Sequence, residues 1–194
     1  MHDLFLSEAD LEQRRQNLPF RLKPLTPDPS YIQAAYQPVG RYGRAIALRQ
    51  GQKGPLSYRD WRVSLTPSDV SIAYFEIWQY ATGLRHPICY LLHKAYFHLY
   101  LPQPTGVEKE LLFLHCDPQE TNVSPHYRYK VGPHFHFEVA GSPWKNAHIP
   151  LCDGWQEQVL QGLDELDQAI ARAIDFIADQ FLPLIEANQS IPAI

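Results

Sequence analysis

The sequence predicts an α+β protein: an antiparallel β-meander sheet of about five to seven strands packed against a long C-terminal amphipathic helix, with a short N-terminal helix. Three observations predict it. Between residues 58 and 140, runs rich in β-branched and aromatic residues follow one another without an intervening helical pattern. Short turns can join only antiparallel neighbours, because a parallel pair needs a crossover of a dozen or more residues. From Trp155 to Phe181 the apolar residues instead recur at spacings of three and four, the period of a helix with one buried stripe. The 194 residues, 45% hydrophobic, 20% charged and 12% aromatic, are enough for one domain with its own core.

Taken in order, residues 7–17 read as a short helix, with Ser7 as N-cap, Asp10 three positions on, and Pro19 as its stop. Pro24, Pro27 and Pro29 make residues 23–29 a stiff extended connector. Ser30 is expected to cap one or two helical turns through Tyr31 to Tyr36. Strands are expected at Arg44 to Arg49, Tyr58 to Leu65, Val70 to Tyr80, Ile88 to Leu101, Glu110 to His115, His126 to Lys130 and His134 to Val139. Alternation places Tyr96, His98 and Tyr100 on one face and Phe97 and Leu99 on the other. The layout is therefore a helix and Pro-rich connector over 1–40, the sheet over 41–150, and the final helix over 153–188. Asp153 and Gln156 form its N-cap pair, and Pro183 ends or kinks it. Its stripe is Trp155, Val159, Leu163, Leu166, Ile170, Ile174, Ile177 and Phe181. The stripe needs an apolar surface. A face of the sheet supplies one within a monomer, and the same helix of a second copy supplies one in a homodimer.

Charge and composition narrow the function classes. Net charge is −4, so the chain as a whole does not attract nucleic acid. Residues 1–62 hold ten basic against six acidic residues, and residues 151–194 hold Arg172 alone against eight acids. This reads either as a solvated acidic helix beside a mildly basic sheet, or as a basic surface of Arg41, Arg44, Arg49, Arg59 and Arg62 that meets an acidic protein partner or RNA phosphates. No apolar run approaches the roughly 20 residues of a membrane span. The start, Met1-His2-Asp3-Leu4, lacks a basic region followed by an apolar stretch, and Cys89, Cys116 and Cys152 are odd in number and widely spaced. A cytoplasmic protein with reduced thiols is expected.

Chemistry concentrates around one strand. Pro133-His134-Phe135-His136-Phe137-Glu138 places His134, His136 and Glu138 on one face and Phe135, Phe137 and Val139 on the other. Two imidazoles and a carboxylate in line, roughly 6–7 Å apart between successive Cα atoms, permit two kinds of chemistry. They can ligate a divalent transition metal such as zinc, iron or manganese, with His126 or His148 completing the set. They can instead divide general-acid and general-base roles, with Arg128 or Lys130 stabilising developing negative charge. The bland alternative is a row of solvated histidines on the polar side of a sheet. A cupin also begins with His-x-His, but Glu138 follows too soon and no later glycine- and histidine-bearing motif appears. His115 and Cys116 are neighbours on a strand and point to opposite faces, so Cys116 reads as a small buried residue. Nucleophile-elbow, phosphate-loop and Cys-x-x-Cys motifs are missing from the sequence.

The stretch Tyr96-Phe97-His98-Leu99-Tyr100, a turn, an apolar strand ending near Asp117, then Pro125-His126 and Pro133-His134-Phe135-His136, resembles the TumE-type toxins of bacterial toxin–antitoxin pairs. The resemblance covers residues 95–138 of the 194, and this chain is longer than those toxins at both ends. It implies that His134 and His136, with His126, carry the family's site, and it implies a toxin-like role. Attack on a phosphodiester, above all in RNA, is the activity this suggests. The alternatives are a non-catalytic binding or assembly module using the helix stripe or the basic N-terminal half, and a small metalloprotein.

Overall fold

Alternating residue type along the strands decides which side of the sheet is buried. A computed structural model describes residues 4–26, 28–51, 57–65, 70–81, 89–102, 106, 108–118, 132–137, 147–151, 160 and 162–189. Among these, nine strands form one sheet: β1 (Phe5–Ser7), β2 (Ile32–Val39), β3 (Gly43–Gln50), β4 (Val63–Leu65), β5 (Val70–Tyr80), β6 (Cys89–Pro102), β7 (Glu108–Cys116), β8 (His134–Phe137) and β9 (Ala147–Pro150). The main order is β2-β3-β5-β6-β7-β8-β9, with β1 paired to β6 and β4 to β5. All pairings are antiparallel. From β5 to β9 the order in space follows the order in the chain, which is the expected meander.

One face of the sheet carries Ile72, Tyr74 and Trp78 of β5, Phe97 and Leu99 of β6, Leu114 of β7 and Phe135 of β8, all buried. Two helices cover it. Helix α1 (Glu8–Arg21) contributes Leu11 and Leu18, and helix α2 (Leu163–Phe176) contributes Leu166, Ala169, Ile170, Ala173 and Ile174. Burying one Leu or Ile side chain contributes about 1.5–3 kcal/mol, so the stripe of α2 is a main source of stability. Among the described residues, Leu166, Ile170, Ile174 and Ile177 of that stripe are buried in the chain's own core. The other face forms a smaller apolar layer where Tyr58 and Trp61 lie over Ala45, Ala47, Phe75 and Ile77.

The structure corrects several expectations. The sheet has nine strands, more than five to seven. Pro19 does not stop α1, which Ser7 caps by accepting from the Asp10 amide at 3.2 Å. Leu18 and Leu22 flank the proline and are buried, so docking on the sheet holds a turn that propensity alone would lose. Residues 23–29 are not simply extended, since Lys23–Leu25 and Pro29–Tyr31 each form a 3-10 turn. Residues 32–39 are strand β2, not helix, so the sheet begins before residue 41. Register with β3 decides this: Ala34 pairs with Leu48 and Tyr36 with Ile46. Tyr58–Asp60 is a 3-10 turn, leaving Val63–Leu65 as the strand.

The described part of the final helix starts at Leu163, behind an extended Gly162, so it is not continuous from 153. Asp153, Trp155, Gln156 and Val159 lie outside the described residues, as does the expected strand His126 to Lys130. Pro183 does not end the helix. A π-helical turn, Ile177–Phe181, precedes helix α3 (Leu182–Gln189), which has Pro183 in its first turn. The shifted hydrogen-bond ladder there accommodates a residue that has no N–H to offer. No described helix is long and apolar enough to cross a membrane.

Candidate functional site

Cross-strand partners in a sheet share a face. Two rows of partners cross β5 to β9. The first runs Phe75, Tyr96, His115, His134, Pro150, and the second runs Ala73, His98, Phe113, His136, His148. The register therefore puts positions 98, 115, 134, 136 and 148 on one face, opposite the helices. His148 belongs there by its pairing with His136.

The ring geometry centres on His115. Its ring stacks on Tyr96 at 4.0 Å between centroids, and lies 5.7 Å from His98, 6.0 Å from His134 and 5.7 Å from His136. Tyr96, His115 and His136 stand nearly parallel, with interplanar angles of 21° and 29°. His98, His115 and His136 are half-buried. His134 is 1% exposed, and its Nδ1 lies 2.8 Å from the Gly132 carbonyl. A carbonyl only accepts, so Nδ1 carries the hydrogen and the neutral ring keeps its lone pair at Nε2.

Charged groups surround the rings. Glu110 pairs with His98 Nδ1. Asp117 accepts from the Tyr96 hydroxyl at 2.7 Å and pairs with Lys94 at 3.4 Å. Arg62 lies 4.0 Å over the Tyr100 ring and pairs with Glu108 at 3.2 Å. Burial, reinforced by the charge of Glu110, pushes the Tyr100 hydroxyl up to about 12, so near neutral pH it stays a proton donor.

No family model, curated protein or solved structure matches the chain.

Of the residues singled out in the sequence, His134 and His136 sit together on β8, one buried and one at the half-open surface. His126, Arg128, Lys130 and Glu138 lie outside the described residues, and of His148 only the strand position is described. No group of three or more His, Cys, Asp or Glu able to hold a metal ion occurs among the described residues. Cys116 is fully buried on the helix side, so His115 does not activate it. The five arginines of the basic half do not make one surface. Arg44 pairs with Glu8 of α1 at 3.2 Å, on the helix side. Arg49, Arg59 and Arg62 lean on Trp61, Tyr58 and Tyr100 on the other side.

Sequence reasoning passed over His98 and His115 as site residues. Alternation had already placed His98 with Tyr96 and Tyr100, but only strand register reveals that β6, β7 and β8 align their histidines.

Proposed function

We propose that the imidazole face of β6, β7 and β8 carries out general acid–base chemistry on a phosphodiester, with RNA as the substrate. The observation that supports this best is the position of His115, within 6.0 Å of three other imidazoles. RNA carries its own nucleophile, the 2′-hydroxyl. Cleavage then asks of the protein one group to take a proton, one to give a proton, and a cation for the developing charge. Imidazole is the side chain suited to the first two needs, because the ordinary imidazole pKa lies near neutral pH. Arg128 fills the third role in this reading.

His136 and His115 contact substrate. His134 is a positioning residue, since it is buried against the Gly132 carbonyl and packs edge-on to His115. The resemblance of residues 95–138 to TumE-type toxins points to the same strand and to a toxin-like role.

The test is cleavage of a mixed-sequence single-stranded oligoribonucleotide beside its 2′-deoxy counterpart. Cleavage of the RNA alone, lost at least a hundredfold in His115→Ala and in His136→Ala while both variants keep their fold, is the expected result. Equal cleavage of the deoxy strand, or full activity in both variants, overturns the reading.

A further inference from the structure

β2 is an end strand of the sheet, at the opposite end of the order from β8 and β9. Its register shows which of its backbone groups β3 uses. The Gly51 N–H donates to the Tyr31 carbonyl at 3.4 Å, in line with the pairing of Ile32 with Gln50. Bonded and non-bonded pairs alternate along an antiparallel ladder. Gln33, Ala35, Gln37 and Val39 therefore bond to β3, and Ile32, Ala34, Tyr36 and Pro38 turn their backbone groups outward. Two facts agree. Arg15 Nη1 of α1 reaches the Ala34 carbonyl at 2.7 Å. Pro38, which has no N–H, sits where β3 asks for none. Among the described residues, no strand pairs with this outer edge. Such an edge accepts a further strand unless it is guarded. Arg15 guards the Ala34 carbonyl and Pro38 the end of the strand, which leaves the N–H groups of Ala34 and Tyr36 and the Tyr36 carbonyl facing outward.

A groove of about 450 Å³ lies along this stretch, between α1 and β2. Its charged lining residues are Arg15 and Arg49, its other long polar ones are Gln16, Gln33 and Tyr36, and no acid lines it. Arg15 is already matched, since its Nε donates to Glu12 at 2.9 Å. Arg49 is half-buried and lies 5.3 Å over the Trp61 ring, with no carboxylate partner among the described residues. A guanidinium does not lose its proton in a protein, so the groove holds one positive charge that no anion offsets. We propose that this groove takes an extended acidic segment of a partner protein, which adds a strand to the outer edge of β2 and sets a carboxylate against Arg49. Backbone pairing at Ala34 and Tyr36 supplies contact that any extended chain can make, and Arg49 selects for Asp or Glu within it. A second copy of this chain fits less well, because pairing β2 with its own twin brings two identical basic linings together.

The experiment is fluorescence anisotropy of a labelled hexapeptide of alternating valine and glutamate, titrated with the full chain. Saturable binding is expected, with Arg49→Gln weakening it about tenfold and Arg49→Lys, which keeps the charge, restoring most of it. Circular dichroism confirms that both variants are folded. The wild type is also titrated against the peptide with glutamine in place of glutamate, which is expected to bind about tenfold more weakly. Two N-methylated forms, one at the valines and one at the glutamates, test the backbone. One of them is expected to lose binding, because only alternate N–H groups of an added strand face β2. Equal binding of the glutamine peptide overturns the acidic selection, and undiminished binding of both methylated forms overturns strand addition. No binding of the glutamate peptide overturns the proposal, and if sedimentation then shows the chain to be a dimer, a second copy takes the place of the partner.

Discussion

Arg14 Nε donates to both carboxylate oxygens of Glu76, at 3.0 and 2.8 Å, and Arg14 Nη2 donates to Oε1 at 2.6 Å. Trp78 Nε1 donates to the same carboxylate at 2.9 Å, and the Tyr74 hydroxyl does so as well. Arg14 Nη1 reaches Asp167 at 2.8 Å, and Arg21 meets Asp167 at 2.6 Å. Helix α1, strand β5 and helix α2 thus share one ionic network inside the core, with Glu76 fully buried and Arg14 7% exposed. Burial opposes the charge on Arg14, but the charge and hydrogen bonds of Glu76 outweigh it and hold the guanidinium well above its ordinary value.

Removing one member of such a network leaves a buried charge without compensation. Glu76→Ala is expected to cost about 3–5 kcal/mol in urea unfolding. Replacing both, as Arg14→Met with Glu76→Leu, is expected to cost less than Glu76→Ala alone, because no stranded charge remains. A loss below about 1 kcal/mol for the single change would show that water reaches the site.

The stripe of α2 is core. Ile174→Ala is expected to cost about 2–5 kcal/mol, and Ile170→Asp with Ile174→Asp is expected to unfold the chain. Circular dichroism and size measurement together check this. A folded monomer produced from a folded dimer by the double change would contradict it.

The two histidines of β8 are expected to separate stability from activity. His134→Ala strands the Gly132 carbonyl in a buried place, a cost of about 1–3 kcal/mol by chemical unfolding. His136→Ala, half-exposed, is expected to shift stability by no more than about 0.5 kcal/mol while abolishing RNA cleavage. If His136→Ala unfolds the protein and His134→Ala leaves it unchanged, the assignment of positioning and contact roles is reversed.

Glu12 and Tyr36 make stability depend on pH at opposite ends. Hydrogen bonds from Arg15 and then Gln16 lower the Glu12 carboxyl from 4.5 to about 2. The folded form thus binds that proton less tightly than the unfolded chain. The resulting stability is present above pH 4.5 and lost as pH falls through about 2. Burial, then the charge of Glu12, raises the Tyr36 hydroxyl from 10.0 to about 12. That contribution is complete below pH 10 and is lost as pH rises through about 12. In thermal melts, the difference between wild type and Arg15→Met is expected to narrow between pH 5 and pH 2. The side chain of Glu12 is 39% exposed, so the effect is small and shrinks with added salt.

Residues whose surroundings are local were legible before the fold was known. Ser7 caps α1 through the amide of Asp10 three residues on, and Leu166, Ile170, Ile174 and Ile177 share one stripe because helix period alone puts them there. Along β6, alternation separated His98 from Phe97 and Leu99. β2 was not legible in the same way. Ile32 to Val39 is short and mixed in composition, and it becomes a strand because β3 offers it a full ladder of partners. Pro19 and Pro183 break helices in isolation, yet here buried neighbours and a π turn carry the chain through.

The α+β class, the apolar stripe that covers the sheet, and the placement of His134 and His136 on one side of their strand are all legible in local residue patterns. Those follow from periods of 3.6 and 2 that each segment carries alone. That His98 and His115 join them, and that Glu110 reaches His98, follows from strand order, register and one extra residue in β7, which arise only where distant chain segments meet. Whether a histidine is buried or half-exposed was decided there too. His134 and His136 have the same alternation and differ only in what packs around them.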